Sequence, residues 1–73
     1  MRKTFVLEEL DCAHCAAKME DAIRGLAGVS HVSVNFLTQR LTLEAEDGVF
    51  EKVLKQAVKI CRKIEPDCRV LTK

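Results

Sequence analysis

The chain has 73 residues, with no tryptophan or tyrosine, a single proline, three glycines and three phenylalanines. Aromatic residues are 4% of it against 48% hydrophobic in total, so any core must be built mainly from aliphatic side chains. That hydrophobic content is also too high for a disordered segment. No charge of one sign dominates: 12 basic and 11 acidic residues leave a net charge of +1, which argues against a polyanionic partner and hence against nucleic acid. No apolar run approaches the ~20 residues that cross a bilayer, so direct membrane insertion is not expected. The segment Met1–Glu9 reaches acidic residues too early for a secretory signal, so a cytoplasmic location is expected, although a longer parent chain could itself be membrane-bound. One domain spanning 1–73 is expected. At this size folding buries only roughly 60% of the surface the unfolded chain exposes.

What is present in excess is cysteine. Four cysteines in a short chain would make a disulfide framework in a secreted protein; without a secretory signal, metal binding or redox chemistry is favoured. Two of them stand in Asp11-Cys12-Ala13-His14-Cys15, where a β-patterned run gives way to a helical one. Thiolates at this spacing close on one soft metal ion, or on each other as a redox disulfide.

Periodicity sets the organisation. Thr4 to Leu10 reads as a first strand, with Phe5 and Leu7 on one side. Ala16, Met19, Ile23 and Leu26 mark one face of an amphipathic helix, ended by Gly25 and Gly28, with Gly28 expected as the cap. Two alternating runs follow: Ser30 to Phe36 with Val32, Val34 and Phe36 inward, and Arg40 to Ala45 with Leu41, Leu43 and Ala45 inward. The polar residues between them predict a β-hairpin. Asp47 is expected to cap a second helix that carries Phe50, Val53, Leu54, Ala57, Ile60, Cys61 and Ile64 at helical spacing. Pro66 cannot continue it, and Cys68 to Thr72 forms a last strand. The order β-α-β-β-α-β predicts an α+β, ferredoxin-like fold: a four-stranded antiparallel sheet with two helices on one face.

In this frame the chain resembles the heavy-metal-associated domain family. The resemblance rests on the element order, on Leu10-Asp11-Cys12-Ala13-His14-Cys15-Ala16-Ala17-Lys18-Met19-Glu20, on Gly28-Val29, and on Ile64-Glu65-Pro66-Asp67 before the last strand. The family includes soluble copper chaperones and the cytosolic N-terminal domains of metal-pumping P-type ATPases. It implies a non-catalytic module in which Cys12 and Cys15 hold metal. Copper members usually carry Thr, Ser or His before the first cysteine, whereas zinc-, cadmium- and lead-exporting ATPases carry Asp. Asp11 therefore implies Zn(II), Cd(II) or Pb(II), with Asp11 as a third ligand; its alternative role is to cap the first helix. The chemistry agrees, because borderline-soft Zn(II) accepts a carboxylate beside sulfur while Cu(I) is content with two thiolates. The implied partners are cytosolic domains of a heavy-metal ATPase or its membrane ion-entry site, with a monomer as the unit and a metal-bridged dimer left open.

The sequence departs from the family pattern at two positions, Glu9 for the usual Gly and Leu10 for the usual Met. Leu10 can serve as the apolar plug beneath the loop. His14 is expected to point outward. Cys61 and Cys68 carry two readings: small buried hydrophobes, or third and fourth sulfur ligands for a larger soft ion. Lys52, Lys55, Lys59, Arg62 and Lys63 form a basic helix face, read as solvated and complementing the helix dipole, with docking to an acidic partner as the alternative. Two rival functions remain: a Cu(I) chaperone or copper-ATPase domain, and, from another class, a thiol-disulfide oxidoreductase. Against the latter stands the hairpin immediately after the first helix, although Pro66 before the last strand leaves a redox-type cis-proline open.

Overall fold

The computed structural model describes residues 1–10 and 12–71. The first strand, β1 (Arg2–Glu8), buries Phe5 and Leu7 and exposes the residues between them, as its alternation demands. It is followed by α1 (Ala13–Arg24), β2 (Val29–Asn35), β3 (Arg40–Ala45), a single 3-10 turn at Asp47–Val49, α2 (Phe50–Ile64) and β4 (Arg69–Leu71). The strands form one antiparallel sheet in the order β2-β3-β1-β4. This is the expected ferredoxin-like arrangement.

Both helices bury the stripes that their sequences outline. Ala16, Met19 and Ile23 of α1, and Phe50, Val53, Ala57 and Cys61 of α2, enter the core, where they meet Phe5, Leu7, Val32, Leu41, Leu43 and Ala45 of the sheet. The Phe5 and Phe50 rings pack tilted with centroids 6.4 Å apart, fastening β1 to the start of α2. Each large aliphatic side chain buried here contributes about 1.5–3 kcal/mol. The carboxylate of Glu20 on α1 accepts a hydrogen bond from the Val34 amide at 3.0 Å, tying the helix to the edge strand β2, which carries a bulge between Val29 and His31.

Several local expectations change. β1 stops at Glu8 rather than Leu10, because Glu9 adopts a left-handed backbone (φ 60) that breaks the strand. Helix α1 ends with Gly25 at its cap, in right-handed geometry. Gly28 is instead the left-handed residue (φ 93) that launches β2. Its lack of a side chain is also steric: a Cβ there would lie 2.9 Å from Val49 Cγ2 and 3.5 Å from Val53 Cγ2. Asp47 does not cap α2. It sits in the preceding 3-10 turn, and its carboxylate pairs with the Met1 ammonium at 2.8 Å, which holds that carboxyl below its usual range. β4 begins at Arg69, so Cys68 falls just before it, and Thr72 lies outside the described residues. The peptide bonds among the described residues are trans, that preceding Pro66 included.

Cys61 and Cys68 both lie in the core. Burial pushes the Cys61 thiol up to about 12, and it also raises Cys68, with help from the nearby Glu65 carboxylate. A thiol whose folded pKa exceeds its unfolded value of 9.0 supports the fold fully below pH 9, and that support is lost as pH rises towards 12. Two outcomes follow from this packing. Gly28→Ala should destabilise the fold by about 1–3 kcal/mol, measured by denaturant unfolding, since it adds backbone strain and a clash with Val49. Cys61→Ala should cost about 1–2 kcal/mol at pH 7 from the lost volume. Between pH 9 and 11 that gap should narrow, because only the wild type must keep this thiol from ionising.

Candidate metal centre

The chain leaves β1 through the left-handed Glu9 and then drives Leu10 into the core, where it is 1% exposed. Leu10 is thus the apolar plug anticipated for this position, and the φ of Glu9 explains why a glycine would be at home there. Asp11 lies outside the described residues, so its expected role as a ligand or cap has no geometry here. Cys12 follows with extended backbone (φ −122, ψ 114) as the N-cap of α1. Its sulfur accepts a hydrogen bond from the Cys15 amide at 3.1 Å, doing what a serine or aspartate oxygen does at most helix starts. Cys15 stands on the first turn, half-buried and packed against the core, while His14 is exposed as expected.

The two thiols are electrostatically one unit. A hydrogen bond between their side chains holds the Cys12 thiol below its usual pKa, and the backbone N–H of Cys15 lowers it further. The same contact raises Cys15, with burial adding to the shift. The contact therefore favours ionisation at Cys12 over Cys15, and Cys12 stands at the positive end of a helix dipole. A thiophilic cation reaching this helix start would meet the two cysteines together.

Two residues outside the expected ligand set also bear on this loop. Glu65, the extended residue that ends α2 (φ −135), has its carboxylate close enough to act on both Cys12 and Cys15, raising each. It arrives there because β4 runs antiparallel to β1 with Arg69 opposite Glu8, which brings the α2–β4 connection beside the Cys12–Cys15 segment. The helix-breaking Glu65-Pro66 pair marked the end of α2, but only the strand pairing places it beside the thiols. The second is Gln39, in the β2–β3 turn. Its side-chain oxygen accepts from the Leu10 amide at 2.9 Å, and its side-chain nitrogen donates to the carbonyls of Leu10 and, at 2.6 Å, Phe36.

Cys61 and Cys68 are placed among the core side chains. Among the described residues, no three His, Cys, Asp or Glu side chains are gathered as a metal cluster. Nor is any helix among them long and apolar enough to cross a membrane.

The heavy-metal-associated domain profile matches residues 4–66. A cadmium, zinc and cobalt-transporting ATPase of Bacillus subtilis is 32% identical over 73 residues, covering 100% of this chain. A zinc/cadmium/lead-transporting P-type ATPase of Escherichia coli is 40% identical over 52 residues, 71% of this chain. The chain spans only 10% and 7% of these relatives' own lengths. Copper-transporting ATPases and a copper chaperone are similar as well. Among solved structures, the N-terminal domain of the copper(I) ATPase PacS superposes with a TM-score of 0.76 at 22% identity, covering 100% of this chain and 94% of that one. A likeness at that identity bears on the fold alone. The profile match over most of the chain, the ferredoxin-like sheet and a thiol pair at the start of α1 together show that this chain belongs to the heavy-metal-associated domain family, the metal-binding modules of heavy-metal ATPases and chaperones.

Proposed function

We propose that this domain binds Zn(II), Cd(II) or Pb(II) through Cys12, Cys15 and Asp11, and delivers the ion to, or reports it to, a heavy-metal efflux P-type ATPase. The observation that carries the reading is the thiol pair at the N-terminus of α1, where Cys12 is already biased towards thiolate. Asp11 in sequence before it, and the field of Glu65 at both sulfurs, add negative charge. Such charge favours a divalent ion over a monovalent one. The zinc and cadmium named for the two ATPase relatives above support the same choice. Cys61 and Cys68 serve the core as protonated thiols rather than as ligands, given their burial and raised pKa values. The domain does no chemistry of its own. Transfer proceeds by stepwise ligand exchange, in which a partner's thiolate or carboxylate binds the ion before Cys12 releases it. The partner is a cytosolic domain of the ATPase or its membrane ion-entry site, and the domain works in the cytoplasm as a monomer.

A copper reading has its own support, in the similarity to copper ATPases and a copper chaperone. Competition against chelators of known affinity separates the two. Zn(II) and Cd(II) affinity should fall by about tenfold or more in Asp11→Ala, since losing even an outer-shell partner of a metal ligand typically costs that much. Cu(I) affinity should change far less. Equal Zn(II) affinity in the wild type and Asp11→Ala would remove Asp11 from the site. A metal–sulfur count of two by X-ray absorption is expected, and a count of three or four would bring Cys61 or Cys68 into it.

A further inference from the structure

We propose that Gln39 is a positioning residue for the metal loop: its side-chain amide clamps the peptide groups of Leu10 and so sets the direction in which the chain approaches Cys12. The inference rests on the metal-binding function proposed above and assigns to it a residue outside the Cys-x-x-Cys segment. Leu10 lies between the end of β1 at Glu8 and the start of α1 at Ala13, so neither a strand ladder nor a helix supplies partners for its backbone. Its side chain is buried, and unpaired peptide groups at such a depth are costly. Gln39 supplies both partners from 29 positions away, accepting from the Leu10 N–H and donating to the Leu10 carbonyl. This two-pronged contact reproduces what a neighbouring strand would give to one residue.

The clamp is itself anchored. The Gln39 carbonyl accepts from the Leu7 amide at 2.8 Å, and the Gln39 side chain also donates to the Phe36 carbonyl of its own turn. Gln39 holds a left-handed backbone (φ 55), a conformation that glycine or asparagine takes more readily. A position that suits those residues is thus filled by one with a longer side chain, and asparagine would be one methylene short of Leu10. The loop is consequently held at both ends, by Gln39 two residues before Cys12 and by the Cys15 amide on the Cys12 sulfur. Preorganisation of this kind lowers the ordering cost of binding and slows release.

Two variants test this. Gln39→Gly removes the side chain and relieves the left-handed backbone; Gln39→Met keeps length and apolar packing but cannot make the clamp. In the metal-free protein, amide hydrogen exchange at Leu10 should quicken at least tenfold in both, while the core amides of β3 stay protected. In the Cd(II)-loaded protein, the sulfur-to-cadmium charge-transfer absorption should keep its wavelength and intensity, because both thiolates still bind. Release of Cd(II) to EDTA should nevertheless be about tenfold faster. Unchanged Leu10 exchange in both variants would overturn the clamp. Faster exchange with Cd(II) release within twofold of wild type would overturn its role in metal holding, as would wild-type release rates in Gln39→Met alone. Failure of the wild type to take up Cd(II) at all would overturn the metal reading and this role together, whereas the exchange measurement would still report on the contact between Gln39 and Leu10.

Discussion

A sulfur atom stands where helices usually begin with an oxygen. By accepting the Cys15 amide, Cys12 satisfies one of the free N–H groups of α1 and at the same time gains the stabilisation that makes its thiolate accessible. The contact that begins the helix is thereby also one that favours the Cys12 thiolate. The rest of the site depends on it, because the position of Cys15 and the opposite pKa shifts of the two thiols follow from where α1 starts.

The sheet then fixes what surrounds that helix start. β1 is central, paired with β3 on one side and β4 on the other, so its end is the meeting point of two distant connections. From one side comes the β2–β3 turn with Gln39, from the other the α2–β4 connection with Glu65. The first contributes hydrogen bonds to Leu10, and the second contributes charge at the thiols. Beneath them Leu10 closes the core.

The four cysteines illustrate how surroundings divide one chemical group into two roles. Cys12 lies at a helix start, where N–H donors favour the anion, and its partner Cys15 borders the core. Cys61 and Cys68 lie in an aliphatic interior, where desolvation favours the neutral thiol. The first pair suits a soft cation, and the second behaves as filling for the core. Both behaviours were among the alternatives that spacing allowed, and burial supports the core role for the second pair.

The sequence by itself determined the element order, the two helix stripes, the strand alternation and the thiol pair at the head of α1. Each of these is written in local periodicity, in which neighbours three, four or two positions apart report on a single face. It also offers Asp11 as a candidate ligand by its place beside Cys12, a position outside the described residues. Only the tertiary structure decided the matters that join distant segments. Gln39 meets Leu10, Glu65 reaches the thiols, Asp47 pairs with the Met1 ammonium rather than capping α2, and Gly28 makes room for Val49. The left-handed turn at Glu9, which a glutamate does not advertise, belongs to the same group, since it is the buried Leu10 and the register of β1 that require it. Local pattern carries information about faces. Partners across the fold are chosen by strand pairing and by the need to satisfy buried peptide groups, and those have no local signature.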